Sequence, residues 1–113
     1  MDSDRARELL ETERERVEKA IAALSGDVRE DQAQQGDPGD RGSESLYQSE
    51  FDATRAEDLA RQLDAVERAE GRLADGTYGL SIESGEPIPD DRLEAFPTAE
   101  RTIDEQRALE GHA

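Results

Sequence analysis

The chain has 113 residues, of which 39% are charged and only 4% aromatic, and its formal net charge is -16. This acidity disfavours direct binding of DNA or RNA, because affinity for nucleic acids comes largely from lysine and arginine neutralising phosphates. The chain has no cysteine, which excludes disulfides, thiolate metal sites and thiol catalysis. No apolar run approaches the ~18 residues of a membrane span. We therefore expect a cytoplasmic protein whose natural partner is a basic protein surface or a bound cation.

Residues 3–25 predict a first helix. Apolar residues recur every seven positions along it, at Leu10, Val17 and Leu24, with Leu9, Ala20 and Ile21 beside them. This spacing is typical of a seam that a partner helix covers. Ser3 is expected to cap the start of the helix, and Gly26 to end it.

A second helix is predicted over residues 49–75, after a loop of about 26–48 that is rich in aspartate and glycine. Continuation of the first helix into part of residues 27–35 is the alternative at the start of this loop, whereas residues 36–43 are expected to be non-helical. Its apolar face carries leucine, valine and alanine at helical spacing: Ala56, Leu59, Ala60, Leu63, Val66, Ala69 and Leu73. Because so narrow a stripe needs a partner, the two helices predict an antiparallel hairpin with an acidic loop at its tip.

The remainder of the chain predicts a small module. Gly76 is expected to end the second helix, and the prolines within residues 77–97 favour short turns. Thr98 is expected to cap a last helix over residues 98–110, with Ile103 and Leu109 facing inward. The fold class is thus mainly α, with a hairpin domain at 1–75 and a small module with a C-terminal helix at 76–113.

The motifs of common enzymes are absent from the sequence. Its carboxylates are numerous, but no spacing marks a pair as general acid and base. It has neither a glycine-rich phosphate loop nor a nucleophile arrangement. We therefore expect a binding protein rather than an enzyme, and a monomer, with self-association through the helices as a weaker alternative.

The segment from Tyr78 to Gln106 carries a specific set of residues at fixed spacings: Tyr78-Gly79, Gly85, Ile88, Arg92-Leu93, Ala95, Pro97 and Ala99. This pattern resembles the zinc-finger signature of the DksA/TraR family. The resemblance implies a long antiparallel coiled coil ahead of the finger, with two aspartates at its tip. The stretch "DPGDRGSE" is similar to that tip, with Asp37 and Asp40 at the two acids and Gly42 where the family has alanine.

The four positions that hold zinc in the family carry no cysteine here: they are Ser81, Ser84, Thr102 and Glu105. Hydroxyl groups are poor zinc ligands, so we expect no bound metal although the family implies zinc. Losing a structural zinc removes on the order of 10 kcal/mol of folding free energy. We expect hydroxyl hydrogen bonds to offset this loss, together with the burial of four or five of six apolar candidates: Leu80, Ile82, Ile88, Leu93, Phe96 and Ile103.

The resemblance also implies a function. Members of the family enter the secondary channel of bacterial RNA polymerase and modulate transcription, some of them together with the alarmone ppGpp. By that likeness Asp37 and Asp40 would lie near the catalytic centre of the polymerase; whether this chain responds to ppGpp does not follow. The alternative is a degenerate member that keeps the fold and serves as an acidic helical adaptor for another protein.

Overall fold

The computed structural model describes the backbone of residues 1–33 and 42–111, and the side chains of residues 1–24 and 52–111. Four helices follow one another along the chain: α1 (Ser3–Ala33), α2 (Gly42–Asp75), α3 (Asp90–Ala95) and α4 (Ile103–Gly111). Within these described ranges, β structure is limited to one antiparallel bridge between Leu80 and Pro87. The prediction of a mainly α protein is confirmed.

Both long helices extend further than predicted. α1 continues past Gly26 to Ala33, and α2 already begins at Gly42, so the predicted loop of about 26–48 is too long at both ends. One glycine in a helix costs only ~1 kcal/mol, and the helix-forming residues around it outweigh that cost. At ~1.5 Å per residue, the 31 residues of α1 and the 34 of α2 measure ~46 Å and ~51 Å.

None of the helices in the described part of the chain combines the length and the low polarity that crossing a membrane requires.

The start of α1 and the end of α2 show how side chains and glycine set helix limits. Asp2 caps α1 in place of the predicted Ser3, because its Oδ1 accepts the N–H of Asp4 at 2.8 Å. At the other end, Gly76 has a φ of +80° and its N–H donates to the carbonyl of Leu73 at 3.3 Å. The predicted stop of α2 at Gly76 is therefore confirmed, through a Schellman motif.

The chain forms two compact units, and the first comprises Met1–Arg14 with Asp64–Ala113. Its buried apolar residues come from both long helices and from the segments that follow them: Ala6, Leu10, Val66, Ala69, Ile88 and Leu93. Arg14 binds Glu70 at 2.6 Å, while Leu10, four residues earlier, lies in one groove with Leu73. Within this unit α1 and α2 are therefore antiparallel.

The second unit is Glu15–Leu63. Val17 and Leu59 are buried in it, and Arg16 donates to Gln62 at 2.9 Å. The predicted stripe is narrower than expected here, since Ala56 and Ala60 are exposed. The division into domains at 1–75 and 76–113 stays a prediction.

Two predictions for the C-terminal part need correction. Residues 77–97 contain α3 as well as turns: Asp90 and Asp91 follow Pro89 and suit the first turn of a helix, and Leu93 is buried. α4 begins at Ile103 rather than at 98. Ile103 and Leu109 do not face inward, because 42% and 48% of their surfaces are exposed.

Candidate functional site

The first two former ligand positions lie on a tight loop that follows α2. The strand-like segments on either side of the loop are joined by backbone bonds from Ile88 N to Gly79 O at 2.7 Å and from Ser81 N to Glu86 O at 2.8 Å. Gly79 takes a φ of +84°, which side-chain-bearing residues rarely adopt. Any other residue at Gly79 would strain the entry to the loop.

Ser81 organises this loop from within. Only 4% of its surface is exposed, and its Oγ accepts the backbone N–H groups of Glu83 at 3.1 Å and Ser84 at 3.3 Å. Ser84 Oγ in turn accepts the N–H of Glu86 at 3.2 Å. The predicted hydroxyl-to-backbone hydrogen bonds are confirmed at both serines.

The other two former ligand positions form the start of α4. Glu105 Oε1 accepts the N–H of Thr102 at 2.9 Å, and Thr102 Oγ1 accepts the N–H of Glu105 at 3.3 Å. This reciprocal pair is a capping box. Thr102 therefore caps the last helix, in place of the predicted Thr98. The Thr-x-x-Glu pattern of residues 102–105 is the sequence signal for this cap, and it was not used in the prediction of Thr98.

The carboxylate of Glu105 interacts with residues of both pairs. Its Oε1 accepts the N–H of Thr102 at 2.9 Å, and the hydroxyls of Ser81, Thr102 and Ser84 act on its charge. The Thr102 N–H and these hydroxyls stabilise the charged form and lower the pKa of Glu105 to about 2. We call these residues, Ser81, Ser84, Thr102 and Glu105, the hydroxyl–carboxylate cluster.

The predicted apolar packing around the cluster is mostly wrong. Ile88 and Leu93 are buried, as expected, but the other four apolar residues keep large exposed fractions: Leu80 37%, Ile82 50%, Phe96 61% and Ile103 42%. Residues near the cluster are thus held mainly by polar contacts rather than by the apolar packing that was predicted.

Two further bonds join the Ser81 loop to the segment before α4. The N–H of Ile82 donates to the carbonyl of Glu100 at 2.9 Å. The guanidinium of Arg101 binds the carboxylate of Glu83 at 3.0 Å. The loop and the start of α4 are therefore connected by a backbone bond and an ion pair in addition to the cluster.

Glu100 also connects this segment to α2. Its carboxylate binds Arg68 and Arg72, each at 3.2 Å, and only 14% of the Arg72 side chain is exposed. Among the buried side-chain polar atoms of the described residues, Nη2 of Arg72 has no hydrogen-bond partner. Removing Glu100 would therefore leave a largely buried arginine without its anion.

Arg92 and Tyr78, both part of the family-like pattern, have structural roles. Arg92 Nε donates to the carbonyl of Arg101 at 3.0 Å, and its guanidinium lies 5.8 Å from the centre of the Phe96 ring. The hydroxyl of Tyr78 donates to the carbonyl of Pro97 at 2.8 Å. Burial raises the pKa of Tyr78 above its ordinary value.

The donor set of the hydroxyl–carboxylate cluster does not fit zinc. Structural zinc sites use four thiolate or imidazole ligands, whereas here three of the positions offer hydroxyls and one a carboxylate. The carboxylate already accepts the N–H of Thr102 at 2.9 Å. Across residues 1–24 and 52–111, whose side chains the structure describes, no group of three or more histidine, cysteine, aspartate or glutamate residues is arranged to hold a metal ion.

The predicted tip residues belong to the other candidate site. Asp37 and Asp40 lie outside the described residues. Gly42 is the first residue of α2. The structure thus brings together all four former ligand positions and leaves the tip as a prediction.

Comparison with known proteins matches the same module. Residues 76–111 match the family model of the prokaryotic dksA/traR C4-type zinc finger. The chain is 44% identical to general stress protein 16O of Bacillus subtilis over 48 residues. This match covers 42% of this chain and 29% of that protein. It is 42% identical over 57 residues to the RNA polymerase-binding transcription factor DksA of Caulobacter vibrioides, or 50% of this chain and 40% of that protein. The matches thus span less than half the length of these curated relatives.

The likeness to a solved structure covers nearly the whole chain. The structure of transcription factor DksA2 from Pseudomonas aeruginosa superposes with a TM-score of 0.85 and 31% sequence identity. It covers 97% of this chain and 84% of the DksA2 chain. The antiparallel helical hairpin and the finger-like globule predicted from the sequence are therefore confirmed as the fold.

Proposed function

Because the chain belongs to the DksA/TraR family, we propose that it binds bacterial RNA polymerase through the secondary channel and modulates transcription. The observation that carries this proposal is the likeness in fold to the transcription factor DksA2, which extends over 97% of the chain. The Caulobacter relative, an RNA polymerase-binding transcription factor by name, supports the same partner. The proposed role is regulatory rather than enzymatic.

The two long helices are the natural part to enter a channel. α1 and α2 contain 31 and 34 residues, or ~46 Å and ~51 Å of helix. Asp37 and Asp40 fall in the sequence between Ala33, where α1 ends, and Gly42, where α2 begins. We propose that these two acids act near the catalytic centre of the polymerase, with Gly42 at the position next to them that is alanine in the family.

Charge favours a protein surface over nucleic acid. With 30 acidic and 14 basic residues, the chain is repelled by phosphate backbones and attracted by basic protein surfaces. The on-rate for polymerase should therefore fall as salt is added, because screening weakens long-range attraction.

Competition for core RNA polymerase tests the proposal. The chain should displace a known secondary-channel factor at micromolar concentrations and moderate salt. Asp37→Asn/Asp40→Asn should still bind but lose the effect on transcription. Glu57→Gln/Asp64→Asn is a matched control, since it removes the same charge from exposed positions of α2, and it should keep both binding and effect.

Absence of binding under these conditions would overturn the polymerase proposal. The alternative function is then the acidic adaptor, because the acidic helices remain suited to another basic protein. Equal effects of the tip variant and the control would instead contradict the role of Asp37 and Asp40 alone.

A further inference from the structure

Two groups of ion pairs connect the module of residues 76–111 to the long helices, and both have the same polarity. Glu94, in α3, binds Arg5 of α1. Glu100, in the segment before α4, binds Arg68 and Arg72 of α2. The module thus contributes the carboxylates and the helices contribute the guanidinium groups. With only 14 basic residues against 30 acidic ones in the chain, this boundary uses three of the scarce cations.

The pair of Arg5 and Glu94 is bidentate. Arg5 Nε donates to Oε1 of Glu94 at 2.9 Å, and Nη2 donates to Oε2 at 2.6 Å. Both side chains are nearly half exposed, at 46% and 43%, so the pair adds little to stability. Two parallel bonds between planar groups nevertheless restrict the direction of approach as well as the distance. The pair therefore acts mainly on how α3 is oriented along α1.

Glu100 is held from the other helix. Its Oε1 lies 3.2 Å from Nη2 of Arg68, and its Oε2 lies 3.2 Å from Nη1 of Arg72, so each carboxylate oxygen has its own guanidinium. The backbone carbonyl of Glu100 accepts the N–H of Ile82 at 2.9 Å. The same residue is thus joined to α2 by its side chain and to the Ser81 loop by its backbone.

Apolar contacts hold the module against the helices but do not define its angle. Ala6 and Leu10 of α1 and Leu93 of α3 are buried in the same compact unit, and hydrophobic contact is non-directional. The ion pairs supply direction. Glu94 and Glu100 lie at the two ends of the segment between α3 and α4, and they bind different helices. Two attachments at separate points restrict rotation about either one.

We propose that these two groups of ion pairs, Arg5–Glu94 and Glu100 with Arg68 and Arg72, are clamps that keep the module at one orientation on the first part of α1 and the last part of α2, and that the effect on transcription requires this orientation. The second half rests on the proposed function. A site acts well only when the residues that support it keep it in place, so these five residues are positioning residues.

The orientation can be measured directly, because the chain has no cysteine of its own. Glu11→Cys/Glu86→Cys places one spin label on α1 and one on the Ser81 loop, at exposed positions. Double electron–electron resonance should give a narrow distance distribution. Adding Arg5→Glu or Glu100→Gln should broaden it, whereas Arg7→Glu, which breaks an exposed pair within α1, should leave it narrow. Equal widths in all of these variants would overturn the proposal.

Charge exchange tests the first clamp specifically. Arg5→Glu and Glu94→Arg each bring like charges together and should broaden the distribution. Arg5→Glu/Glu94→Arg restores opposite charges and should narrow it again, which a merely structural role of either residue would not predict. Glu94→Gln removes the charge alone and replaces the reversals in this comparison if a reversal unfolds the chain. A distribution that stays broad in the exchange variant would contradict the pairing.

The functional half is tested with core RNA polymerase at saturating concentrations of each variant. Arg5→Glu should lose several-fold in its effect on transcription, Arg5→Glu/Glu94→Arg should recover it, and Arg7→Glu should keep it. A full effect of Arg5→Glu together with a broadened distance distribution would refute the need for a fixed orientation. Absence of polymerase binding by the wild type would overturn the proposed function and this half of the inference, whereas the distances would still decide the clamps.

Discussion

The long helices and the finger-like module are stabilised by different kinds of contact. α1 and α2 bury a row of apolar residues at helical spacing, of which Leu10, Val17, Leu59 and Val66 are the largest. The module of residues 76–111 buries Ile88 and Leu93 but leaves four other large apolar side chains partly exposed around a buried serine. The helices are therefore held together mainly by hydrophobic burial, whereas the contacts within the module are mainly polar.

The largest expected effect comes from the buried row of the helices. Leu10→Ala should lower the free energy of unfolding by about 2–5 kcal/mol, because it removes a side chain of which 1% is exposed and leaves a cavity. Urea unfolding followed by circular dichroism measures the change. Leu109→Ala is the control: this residue is 48% exposed, and its truncation should have little effect. Similar losses for both variants would contradict the assigned burial.

An intermediate effect is expected where the module meets α2. Glu100→Gln should lower the free energy of unfolding by about 1–3 kcal/mol, because Arg72, with 14% of its side chain exposed, would lose its anion. Glu86→Gln, at an exposed position of the Ser81 loop, provides the comparison in the same urea experiment. A loss no greater than that of Glu86→Gln would show that the Arg72 pair contributes nothing.

A smaller effect is expected inside the module. Tyr78→Phe removes the hydroxyl that donates to the Pro97 carbonyl at 2.8 Å and should cost about 1 kcal/mol. The raised pKa of Tyr78 gives a second measurement: one tyrosine should ionise above the ordinary range in an absorbance titration, and that step should vanish in Tyr78→Phe. Persistence of the step would assign it to the other tyrosine.

The smallest expected effect is a pH-dependent contribution of Glu105 to the stability of the module. The pKa of Glu105 is lowered from 4.5 to about 2 in the folded protein. Its contribution to stability is therefore complete above pH 4.5 and is lost as the pH falls to about 2. The stability difference between the wild type and Glu105→Gln should stay constant from neutral pH down to that window and then shrink. A difference that does not change with pH would contradict an ionised Glu105 at the centre of the cluster.

The spacing of apolar residues predicted the two long helices, because residues at helical spacing share the face that is buried. Leu10, Val17, Leu59 and Val66 were all named from that spacing and are all buried. The helix limits were less accurate, since Gly26 looked like a stop and is only a tolerated glycine within α1. Local signals decide helix ends, and a single glycine is a weak one.

The module was predictable in outline and not in its stabilising contacts. The spacing of Tyr78, Gly85 and Pro97 indicated the family, and Ser81, Ser84, Thr102 and Glu105 were identified as the ligand positions. Glu105 could have been recognised as the capping partner of Thr102 from the Thr-x-x-Glu pattern. The bonds from Ile82 to Glu100 and from Arg101 to Glu83 depend on how two segments distant in sequence meet, which no local pattern contains.

The central claim is that the module is folded without metal by bonds between its two segments. Amide hydrogen exchange of the chelator-treated full chain, resolved by residue with NMR, tests it most directly. The N–H of Ile82, which donates to the Glu100 carbonyl, and the N–H of Ser81, which donates to the Glu86 carbonyl, should exchange slowly. In Glu105→Gln the Ile82 amide should exchange faster. Exchange of both amides at the rate of an unfolded chain, with protection only after zinc is added, would contradict the account.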